Sequence, residues 1–95
     1  MRITLNQLHN LPVETQSGEH LGRVVDVELD ADRHEVVSYY VKTKSLLPGL
    51  FEQLLIVDRR QVVSITPEKL VVEDAVSRDA ERGSVVEPEP NAPAG

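Results

Sequence analysis

Asp26, Glu28, Asp30 and Asp32 place a carboxylate at every second position of one short run, and such spacing invites a calcium site. An EF-hand loop needs Gly at its sixth position and Glu at its twelfth. Counted from Asp26, those positions hold Ala31 and Val37. The pattern fails, and alternate acidic residues read instead as the solvated face of an amphipathic strand, with Asp26 and Glu28 as candidate polar contacts. His9, His20 and His34 lie at least eleven residues apart and form none of the short histidine spacings that hold zinc, so no metal is expected. The chain has no cysteine, which removes thiol nucleophiles, disulfides and Cys-ligated zinc together. Neither a G-x-S-x-G elbow nor a Gly-rich phosphate loop occurs. Arg59 and Arg60 form the only adjacent basic pair, joined by Lys42 and Lys44 if their strands are neighbours. The pair reads as a charged strand edge that blocks sheet aggregation, or as a contact for RNA or an acidic protein.

Ten Lys and Arg against sixteen Asp and Glu leave a net charge of −6 in 95 residues. That balance opposes the phosphate-neutralising attraction behind non-specific nucleic-acid binding. With Tyr39, Tyr40 and Phe51 as the only aromatics, a base-stacking surface is also unsupported. No stretch approaches the roughly 20 apolar residues of a spanning helix, and the first residues lack a signal-peptide core. The expectation is a cytoplasmic protein without membrane insertion. Residues 75–95 hold three of the six prolines and no Leu, Ile or aromatic residue. They are expected to form a flexible acidic tail after a folded domain of residues 1–74, with a short helix at 75–82 in which Val76 and Ala80 share a side.

Within residues 1–74 the apolar pattern is that of short strands between turns. Thr4 and Gln7 have capping-box spacing, and Leu5, Leu8 and Leu11 recur three apart, which predicts a helical turn packing into the core and ended by Pro12. Val13-Glu14-Thr15 leads through a Gln16–Glu19 hairpin loop into a strand over 21–30. Alternation there puts Val25, Val27 and Leu29 on one face and Asp26, Glu28 and Asp30 on the other. Ala31–His34 turns the chain into 35–43, where Val37, Tyr39 and Val41 share a face. Strands over 53–57, 61–66 and 69–74 follow, the last two joined at Thr66-Pro67-Glu68. Six strands and no long helix predict an all-β domain, a small barrel or sandwich.

Gly18-x-x-Leu21-Gly22-x-Val24-x-Asp26-Val27, preceded by Leu11-Pro12-Val13 and followed by Leu54–Val57, Val62–Ile65 and Lys69–Val72, resembles the PRC-barrel family over roughly residues 8–74. The resemblance implies a small six-stranded PRC-type β-barrel with a short N-terminal helical turn, acting as a docking or scaffold module and not as a catalyst. Asp58-Arg59-Arg60 stands where members often carry proline, and frequently tryptophan. Gly18 is read as a turn residue, and Gly22 as a point where a side chain would obstruct an adjacent strand. A barrel this small fills its interior with its own side chains, so no enzyme activity and no cofactor are expected.

Val36-Val37, Tyr39-Tyr40, Leu54–Val57, Val62-Val63 and Leu70–Val72 place apolar side chains on both faces of several strands, more than one inner face can bury. Leu46, Leu47, Leu50 and Phe51 add large apolar residues in a Pro-Gly loop that either plugs the barrel or forms an interface. With Val36 and Tyr40 they make up the candidate interface. A homodimer that docks a protein partner is the first expectation. A ribosome or RNA-maturation accessory factor is the alternative.

Overall fold

The computed structural model describes residues 1–43 and 53–76. Among them lie a short N-terminal helix, α1 (Leu5–Leu8), and six strands: β1 (Pro12–Thr15), β2 (His20–Asp30), β3 (Glu35–Thr43), β4 (Gln53–Asp58), β5 (Val62–Ile65) and β6 (Leu70–Val72). The strands form a single sheet in the order β4-β3-β2-β1-β6-β5. All neighbours are antiparallel except β1 and β6, which run parallel with Val13 opposite Leu70 and Thr15 opposite Val72. The fold is all-β, and among the described residues β4 and β5 remain the two edges, so hydrogen bonds between these strands do not close the cylinder. The reason is local. A single 3₁₀ turn over Arg59–Gln61 separates β4 from β5, and the chain leaves it to pair with β6 at Val62–Val72.

Turn chemistry explains the punctuation. Thr4 caps α1: its hydroxyl accepts from the Gln7 N–H at 3.1 Å while Gln7 Oε1 accepts from the Thr4 N–H at 2.8 Å. The helix ends at Leu8, before Pro12 can act, because Asn10 adopts φ 68° and its N–H donates to the Val24 carbonyl of β2. Pro12 opens β1 instead, at a strand start where its missing donor is tolerated. In the β2–β3 turn, Asp30 Oδ1 accepts from the Asp32 and Arg33 N–H groups and His34 takes φ 58°. Thr66 does the same work before β6, its hydroxyl accepting from the N–H groups of Glu68 and Lys69.

The core is built by Leu8, Leu11, Val13, Leu21, Val24, Val41, Leu55, Val57, Leu70, Val72 and Val76. Two sequence expectations change here. Leu5 does not join Leu8 and Leu11; it is 67% exposed, since a helix of one turn presents only one residue to the sheet. The simple alternation of β2 also breaks. A bulge between Val24 and Asp26 lets Val24 face the core, and Leu29 ends 55% exposed beyond a second irregularity after Glu28. Val76, in the segment read as tail, is 1% exposed, and Asp74–Val76 are helical; the remainder of the 75–82 segment and of the tail lies outside the described residues.

Candidate functional site

The register of β2, β3 and β4 sorts the doubly apolar strands. Val27, Tyr39 and Val57 lie on one rung and Val24, Val41 and Leu55 on another, and all of these belong to the core or pack against it. The alternate rungs lie on the opposite face of the sheet: Asp26, Tyr40 and Ile56, then Glu28, Ser38 and Asp58, then Arg23, Lys42 and Leu54, with Ser38 alone among them buried. The outer face of β4 thus carries Leu54 and Ile56, both half-buried, beside the half-buried Tyr40 of β3. Val36, also half-buried, pairs with the exposed Leu29 near the β2–β3 turn. Of the candidate interface, Val36 and Tyr40 therefore sit on β3, whereas Leu46, Leu47, Leu50 and Phe51 lie outside the described residues. Leu54 and Ile56 belong with them, and the Leu54–Val57 run signalled this by having apolar residues at both parities.

The acidic row is engaged locally. Asp26 Oδ1 accepts from the Val27 N–H at 2.8 Å, and Glu28 Oε1 and Oε2 receive the hydroxyls of Ser38 and Tyr40 at 3.5 and 3.4 Å. Those two contacts are longer than ordinary hydroxyl bonds. Partial desolvation chiefly, and then the Glu28 and Asp26 carboxylates, raise the Tyr40 pKa above 10.0. Burial alone raises that of Tyr39.

Arg59 and Arg60 are not a strand edge, and this corrects the sequence expectation. They occupy the 3₁₀ turn, capped by Asp58, whose Oδ1 accepts from the Arg60 N–H at 2.8 Å while Gln61 Oε1 accepts from the Asp58 N–H at 3.0 Å. The Asp58-x-x-Gln61 spacing is the same box as Thr4-x-x-Gln7 and is the sequence signal for this turn. Arg59 pairs with Glu35 at 2.9 Å and Arg60 with Asp58 at 3.0 Å. That second pairing lowers the Asp58 pKa and raises that of Arg60. Lys42 lies four rungs away from Asp58 along the β3–β4 ladder and does not join the pair; Lys44 is outside the described residues.

Gly18 and Gly22 have distinct roles. Gly18 takes φ 92° in the β1–β2 turn with open space around it, so only its backbone conformation calls for glycine. Gly22, at φ 156°, is packed against the main chain of Lys42 and Thr43 where β2 pairs with both β1 and β3. His9 caps α1, His20 opens β2 and His34 sits in the β2–β3 turn, all three exposed.

No helix among the described residues is long and apolar enough to cross a membrane. No curated protein matches the chain significantly. The model of the PRC-barrel domain matches residues 1–79, covering the helical turn, all six strands and the buried Val76. With its glycine-punctuated β2 and its six-stranded sheet, the chain belongs to the PRC-barrel domain family.

Proposed function

We propose that this PRC-barrel protein is a non-catalytic interaction module that self-associates and docks a protein partner. Small β-barrel modules of this family are often involved in protein interactions. The observation that carries self-association is the outward apolar row of Leu54, Ile56 and Tyr40, backed by Val36. A sheet face of this kind gains by pairing with its own copy, since a domain of this size buries only about 60% of its extended surface. The non-catalytic reading is supported by an interior filled by its own side chains: Val13, Val24, Val41, Val57, Leu70 and Val72 are all at most 1% exposed.

Sedimentation equilibrium at tens of micromolar tests the reading. The wild type is expected to be a dimer and Ile56→Lys a folded monomer, with circular dichroism unchanged. A monomeric wild type would remove self-association.

A further inference from the structure

Between α1 and β2 runs a groove of about 400 Å³, a volume in the range that takes a ligand or an anchoring side chain. Leu5, Leu8, Val24, Val25 and Val27 form its apolar lining, and the β2 bulge at Val25 helps to shape it. Leu5 is the unusual member. It is a large apolar residue on the only helix of the chain's N-terminal part, yet it is two-thirds exposed and packs into no core. Asp26 stands on the rim, with Glu28 two positions further along the strand, in a chain of net charge −6. Asn6 and His9 complete the lining. The nearest arginine on β2, Arg23, is turned toward the Asn10 carbonyl, to which its Nη1 donates at 2.9 Å.

We propose that this groove is the partner-docking site of the module and takes a peptide segment with one large apolar anchor flanked by Lys or Arg. The inference rests on the interaction-module reading and names its partner class. The apolar lining excludes water around the anchor, and the Asp26 carboxylate selects the sign of the flanking charge, because an acidic neighbour there would be repelled. Charge steers and discriminates while the anchor supplies the retention.

The test is selection of displayed random short peptides against the full-length protein, followed by affinity measurement on the synthesised winners. The selected peptides are expected to share Leu, Phe or Met with Lys or Arg within two positions. Leu5→Asp, at an exposed position that leaves the fold intact, is expected to weaken them at least about tenfold. Asp26→Lys should weaken the basic peptides and favour versions with Glu in place of the base. Peptides that lack a basic residue, or that bind Leu5→Asp undiminished, overturn the proposal, as does a selection that enriches nothing. Binding that survives Leu5→Asp but disappears in Ile56→Lys overturns the groove while sparing the module reading. Dimerisation abolished by Leu5→Asp would make the occupant a second copy and also overturn it.

Discussion

The Cα of Gly22 rests so close to the main-chain carbonyl of Lys42 that a methyl group at position 22 would overlap that oxygen and lie 2.9 Å from its carbon. The same methyl would be 3.1 Å from Thr43 Cα. All of these are backbone atoms of a paired strand, and no side chain can swing aside to relieve them. Gly22→Ala is therefore expected to cost about 2–3 kcal/mol or more, a fall of at least roughly 10 °C in melting temperature for a domain of this size. Gly18→Ala, strained in backbone but with open space, should cost only about 1 kcal/mol. Equal losses in thermal melts of the two variants would refute the distinction.

Tyr40 should ionise above its ordinary value of 10.0. A raised tyrosine pKa means that the fold favours the neutral phenol. The stabilisation is complete below the unfolded value and is lost as pH rises through the folded one. Alkaline titration of tyrosinate absorbance in a Tyr39→Phe background isolates Tyr40. There Glu28→Gln should lower the midpoint but leave it above the ordinary value, because desolvation is the larger cause and the carboxylate the smaller. An unmoved midpoint would remove Glu28 as a contributor.

Asp58 has the opposite sign. Its lowered pKa stabilises the fold at pH values above the ordinary 3.8 and ceases to do so as pH falls through the lower folded value. Asp58→Asn retains a side-chain acceptor for the Arg60 N–H and loses the charge. Melting temperatures followed from neutral pH into acid should show a small deficit for the variant at neutral pH that closes in strong acid. A deficit independent of pH would mean that the ion pair with Arg60 contributes nothing.

Leu70 and Leu5 are matched leucines in opposite environments, fully buried and two-thirds exposed. Denaturant melts of Leu70→Ala should show a loss of about 2–5 kcal/mol. Leu5→Ala should stay within about 0.5 kcal/mol of wild type. Val76→Ala is expected to cost about 1–2 kcal/mol by removing buried methyl groups beyond β6. A neutral Val76→Ala would return that residue to the tail.

Much of the strand layout was legible from side-chain alternation and turn chemistry. The expected span 35–43 coincides with β3, and the Thr4–Gln7 box and the Gly18 turn stand where their residue types put them. These features depend on neighbours a few residues apart, which one sequence displays directly. The Asp58–Gln61 box is equally local, but the charge of its arginines points to an edge or a contact and masks the cap that Asp58 and Gln61 make. The apolar surplus of residues 54–57 was visible too, but which member faces outward needed the register with β3.

By itself the sequence determined an all-β chain, its turns and the excess of apolar side chains, because period-two patterning and glycine placement are local physics. Tertiary structure alone decided the parallel pairing of β1 with β6, the bulge that turns Val24 inward, the exposure of Leu5 beside β2 and the burial of Val76. Each of those depends on which distant backbone donors and acceptors pair and on the space they leave. No local pattern carries that information.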